Sequence, residues 1–189
     1  MGVRINVISD HQIRQWNDVD WLIGHLSKTL PTLEKIDAYW VRTGEKNDRL
    51  RCWQASRPSD SFRSVKLEGP GSVWLTLTPK IAMIHTGGRW RGFMEIPELR
   101  QVHLSAFRDI LGCLRASFAA YFPDFDDVWG LFYEDRPASQ VEELLVPHFG
   151  RPSTNVDNPD RSDIQKRPSV WFREDLAAAL RAEAANSPA

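Results

Sequence analysis

Five histidines, two cysteines and 25 carboxylates are the groups in this 189-residue chain that could move protons, attack electrophiles or bind metals. An imidazole titrates near neutrality and suits general-base work. His85, His103, Asp109 and Cys113 are therefore the first set to test as a His-Asp or Cys-His site. On a single helix, His103 and Cys113 stand nearly three turns, or about 15 Å, apart and cannot act together. His103 then reads as a core residue, and a hydrolase or transferase using His85 or His103 as base is kept as an alternative. Cys52 and Cys113 form no C-x-x-C or Cys/His cluster, so both read as buried thiols rather than a disulfide or zinc site. The sequence contains no G-x-S-x-G, H-E-x-x-H, G-x-x-x-x-G-K-[ST] or G-x-G-x-x-G. Gly87-Gly88-Arg89-Trp90-Arg91-Gly92 looks like a phosphate loop, yet it lies between two strand-like runs instead of opening a helix. It is read as a hairpin turn, and no catalytic residue, metal or cofactor is expected.

Two groupings carry binding chemistry instead. Lys66, Trp74, His85 and Trp90 fall on one predicted sheet face, where cross-strand neighbours lie within about 5.5 Å. Tryptophans flanking a histidine would hold a flat or cationic ligand, or receive a partner. The second grouping is the stretch from Tyr121 to Asp135, in which Asp124, Asp126, Asp127, Glu134 and Asp135 alternate with six aromatic residues, Trp129 among them. Aromatic anchors ringed by carboxylates suit an interface with a basic protein. The same stretch also reads as turn, strand and turn, with its rings inside and its charges outside.

These groups need elements to hold them. Alternation of Val3, Ile5 and Val7 predicts an opening strand, and Asp10 caps a helical region that runs to about Leu30 and ends at Pro31. From 36 to 94 the period changes to β-rich runs at about 36 to 43, 50 to 56, 62 to 68, 72 to 78, 81 to 86 and 89 to 94. Their short separators favour hairpins, hence an antiparallel meander of about six strands. Two-residue turns at Gly87-Gly88 and Pro79-Lys80 would set His85 opposite Trp90 and Trp74 opposite His85, and a loop at 69 to 71 would pair Lys66 with Trp74. One face then collects Val65, Leu67, Val73, Leu75, Leu77, Ala82, Ile84 and Phe93, the expected core. The other receives Lys66, Trp74, Thr76, Met83, His85, Trp90 and Met94. Leu99, Val102, His103, Phe107, Ile110, Leu111, Leu114, Phe118 and Tyr121 predict one long helix over 97 to 121, roofing the core face. Beyond it come a strand at Val128 to Tyr133 and a helix opened by the box Ser139-Gln140-Val141-Glu142 and closed at His148-Phe149-Gly150.

The fold class expected is α+β: a meander sheet packed by that long helix, with N-terminal helices and a C-terminal strand-helix extension. Residues 1–150 read as one domain, 151–168 as an extended linker rich in Pro, Asn, Asp, Arg and Ser, and 169–189 as a short helix with a frayed tail. With 42% hydrophobic and 26% charged residues the chain reads as soluble and globular. No apolar run approaches the roughly 20 residues that cross a bilayer, and the N-terminus has no signal-peptide core, so no membrane and a cytoplasmic setting are expected. Asn6 stands where myristoylation usually has Ser or Thr, which argues against a lipid anchor. The first 95 residues carry net charge +4 and the remainder −5, a pairing of opposites within one fold; with a pI near 6.5, nucleic acid is an unlikely partner.

The order strand, helices, six-strand meander, long helix over residues 1 to 121 resembles the helix-grip fold of START-like and birch-pollen-allergen-like proteins. That resemblance implies a small-molecule ligand between helix and sheet, and names no site residue. The leading functional expectation is a non-enzymatic binding protein, of immunity or inhibitor type, whose acidic aromatic surface engages a basic protein.

Overall fold

Five consecutive buried residues in the first strand, β1 (Arg4–Ser9), place it deep in the molecule with both faces covered. A computed structural model describes residues 3–13, 19–42, 52–55, 64–134, 136–153, 155–166 and 169–177. After β1 come α1 (Val19–Leu26), a 3-10 turn, α2 (Leu30–Arg42) and the strands β2 (Gln54–Ala55), β3 (Val65–Gly69), β4 (Val73–Leu77) and β5 (Ala82–Arg89). There follow α3 (Trp90–Glu95), α4 (Pro97–Leu114), β6 (Phe118–Pro123), α5 (Trp129–Tyr133), α6 (Val141–Phe149), α7 (Arg161–Lys166) and β7 (Phe172–Asp175). The seven strands form one sheet in the order β2-β3-β4-β5-β1-β6-β7, and every strand pair is antiparallel. The class is α+β, as expected.

The sheet divides two cores. On one face, Val7, Leu67, Val73, Leu75, Leu77, Ala82 and Ile84 pack with residues of α1, α2, α3 and α4, so the predicted core face is the core face, Phe93 included. On the other, Ile8, Met83, Ala120 and Phe122 pack with Val128, Leu131, Val141, Leu145 and Trp171. That second layer covers β5, β1 and β6, with Trp171 joining it just before β7, and includes no residue of β3 or β4.

Several expected elements are corrected. Residues 36–42 are helical: Leu33 and Ile36 are buried three apart on α2, and Pro31, expected to end a helix, sits in the first turn of this one, where its missing N–H costs nothing. The long helix stops at Leu114, because Arg115 turns left-handed (φ 52°) and Asp10 accepts hydrogen bonds from the backbone N–H and Oγ of Ser117 at 2.7 and 2.6 Å. Phe118 and Tyr121 then enter β6. Gly87-Gly88 is no turn. Strand β5 runs through it to Arg89, and the residues expected as a sixth meander strand form α3. A Cβ on Gly88 would lie 2.7 Å from His103 Nε2, so the glycine serves close approach of strand and helix. The expected strand at 128–133 is a 3-10 turn leading into α5. Ser139 lies inside a 3-10 turn, and no side chain caps α6. Phe172, expected in a helix, opens β7, which pairs with β6, and Trp171 lies just before it. The expected run 50 to 56 is described only at 52–55, where β2 is two residues long.

Candidate functional site

Across the second face of the sheet one row of side chains crosses five strands. Glu68 faces Trp74, Trp74 faces His85, and Asn6 faces His85 on one side and Phe122 on the other. The Trp74–His85 pairing is the one expected from the Pro79-Lys80 turn. Lys66 faces Thr76 rather than Trp74, since the turn Pro70–Ser72 pairs Gly69 with Val73. A slip of two residues preserves the face, so Lys66 stays on it, exposed.

The row leaves the second core at His85. Its ring stacks on Trp74 with centroids 5.1 Å apart and planes 19° from parallel. Trp129 meets the same ring edge-on, with centroids 6.3 Å apart and planes at 70°. Trp129 is held there by its neighbours: Val128 and Leu131, each 1% exposed, point into the second core, leaving Trp129 at the rim with 38% of its surface exposed. Burial drives the His85 pKa down to about 4, reinforced by the positive charges of Lys66 and Arg4 and opposed by Asp124. The imidazole is thus neutral at pH 7, with a buried Nδ1 that has no hydrogen-bond partner among the described residues.

Asp124 follows β6 and is fixed by two donors, the backbone N–H of Arg4 at 3.0 Å and Asn6 Nδ2 at 2.8 Å. Asp126 and Asp127 are exposed in the turn before α5. Asp127 lies 3.6 Å from His148 Nε2, and His148 packs edge-on against Phe125. Glu134 is exposed and paired with Arg136. Asp135 lies outside the described residues.

The two sequence groupings therefore meet at His85, which joins Trp74 to Trp129. Trp90 is not brought to them. It starts α3, is 1% exposed and stacks on Phe93 at 5.3 Å in the opposite core. Met94 lies in that core as well. Sequence reasoning missed Asn6 and Arg4. The alternation of Val3, Ile5 and Val7 already puts even-numbered residues of β1 on the second face, but only the sheet order sets Asn6 beside His85.

The alternative His-base set disperses. His103 is fully buried, its Nδ1–H donates to the Leu99 carbonyl at 2.8 Å, and burial lowers its pKa to about 4. Cys52 is exposed, contrary to expectation, and Cys113 is half-buried; both are free. Among the described residues no group of three His, Cys, Asp or Glu is arranged to hold a metal ion, and no helix is long and apolar enough to cross a membrane. No family model matches this chain, nor does any curated protein or solved structure.

Proposed function

We propose that the chain is a non-enzymatic binding protein of immunity or inhibitor type, and that a basic protein docks on the Trp74–His85–Trp129 face. The observation carrying this reading is the junction at His85, which merges an aromatic strip and an acidic aromatic stretch into one surface. A half-exposed tryptophan beside Asp126 and Asp127 supports it, because interface energy concentrates in aromatic anchors while surrounding charges steer a partner of opposite sign. A histidine whose pKa lies near 4 is a poor proton acceptor at neutral pH, which favours binding over base catalysis at this face. The reading assumes a cytoplasmic setting, in keeping with two free thiols.

The test is affinity capture from native host extract by the wild type and by the Trp74→Ala/Trp129→Ala double variant. A basic protein retained by the wild type at low salt and lost by a variant of unchanged Tm is the expected result. Equal retention by both, or capture of no basic protein, refutes the proposal.

A further inference from the structure

Along the C-terminal half of α4 runs a trough far from the Trp129 face, with a larger lobe of about 700 Å³ and a smaller one of about 410 Å³. The lobes share His25 and Cys113, where the Cys113 thiol donates weakly to the His25 carbonyl at 3.7 Å. Leu111, Leu114 and Leu176 supply apolar lining among polar and charged groups. Trp21, half-exposed and stacked on His25 at 5.3 Å, stands on the rim. These dimensions suit a small molecule.

Two residues that line the trough are poor choices for stability. Gly112 lies in the last turn of α4, where glycine weakens a helix relative to alanine. Close packing does not require it, because a Cβ built there meets nothing within 4 Å. Arg115 holds the left-handed position that ends α4, φ 52° and ψ 44°, where glycine carries no steric penalty. Each choice serves the trough in its own way: Gly112 leaves the floor open, and Arg115 supplies a cation. Departures from local preference of this kind concentrate at functional sites.

The charges indicate the ligand. Arg108 is committed to Asp157 and Glu174; Asp109 accepts from the Thr32 hydroxyl at 2.8 Å but has no ion pair among the described residues and stands in the same lobe as Lys28, so the cation in excess along the trough is Arg115. Lys28 and Arg115 have no ion pair among the described residues and stand at the larger and smaller lobe respectively. We infer that the trough binds an anionic amphiphile, a small molecule with a flat or chain-like apolar body and a carboxylate or sulfonate head. This site is independent of the protein-docking face.

Two dyes with the same aromatic body separate the head from the body: 8-anilinonaphthalene-1-sulfonate and its uncharged parent, N-phenyl-1-naphthylamine. Fluorescence titration of the full chain is expected to show one sulfonate dye bound per molecule, displaced by decanoate. Lys28→Gln and Arg115→Gly should each weaken the sulfonate by about three- to fivefold and the neutral dye by less than about twofold. Arg115→Gly should do so with a Tm at or above that of the wild type, which a misfolded variant would not show. Gly112→Leu, which fills the floor, should weaken both dyes roughly tenfold or more. Absence of sulfonate-dye binding overturns the inference, as does wild-type affinity in both Arg115→Gly and Gly112→Leu. Loss of the dye on Trp129→Ala instead would assign it to the other face and equally overturn it.

Discussion

His103 and His85 make the molecule sensitive to acid in a definable window. Both have folded-state pKa values near 4, lowered by burial from 6.5, so the unfolded chain takes up a proton at each site before the folded one does. Their contribution to stability is present in full above pH 6.5 and is lost as pH falls from there toward 4. For the fully enclosed His103 the loss is about 3 kcal/mol. Urea midpoints taken between pH 7 and pH 4.5 should fall steeply for the wild type, and the His103→Gln slope should be shallower whatever its stability at pH 7. Equal slopes would exclude His103 as the source. At this scale the sequence was legible where a local turn set the pairing, as for Trp74 and His85. It was not legible at Trp129 or Trp90, because each lies in a helix read as a strand, and a strand sends alternate side chains to opposite faces whereas a short helix does not.

At the scale of elements, local chemistry was overruled by distant contacts. A Gly-Gly pair between strand-like runs signals a hairpin, yet β5 passes straight through it, and Gly88 is required by His103 on a helix later in the chain. Gly88→Ala should therefore cost about 1–3 kcal/mol through crowding against His103 and Thr86. At Gly87 a Cβ meets only the Ser72 side chain, its Cβ at 3.3 Å and its Oγ at 3.9 Å, so Gly87→Ala should be milder; urea denaturation of the two variants checks the order, and Gly87 proving the costlier site would contradict this account. The end of α4 has the same origin. Phe118 and Tyr121 continue the helical spacing of Leu111 and Leu114, and it is the Asp10 carboxylate that captures Ser117 and sends the chain into β6. The antiparallel runs of β3, β4 and β5 were readable because their partners are sequence neighbours. The pairings of β1 with β5 and β6, and of β6 with β7, were not, since alternation reveals a strand's faces and not its neighbours.

For the whole molecule, the tail is part of the fold. Trp171 and Phe172 are adjacent and fully buried, one in each core. Strand β7 is fixed further by Glu174, which accepts from Tyr121 Oη at 2.5 Å and from Arg108 Nε at 2.9 Å. Arg108 also holds Asp157 through two bonds of 2.8 and 2.7 Å. Each of those two buried rings is worth about 1.5–3 kcal/mol, a large part of the margin of an ordinary domain. Circular dichroism should thus show a cooperative thermal transition for the full chain and none for residues 1–150 expressed alone; a sharp transition at the same temperature in both would support the linker reading. The position of β1 has a related consequence during synthesis. It leaves the ribosome before the other six strands of its sheet, yet both its partners, Ala82–Arg89 and Phe118–Pro123, come much later. Translation adds roughly 5–20 residues per second, so a nascent hydrophobic strand waits for seconds with open edges, the interval in which mispairing or chaperone capture competes with folding.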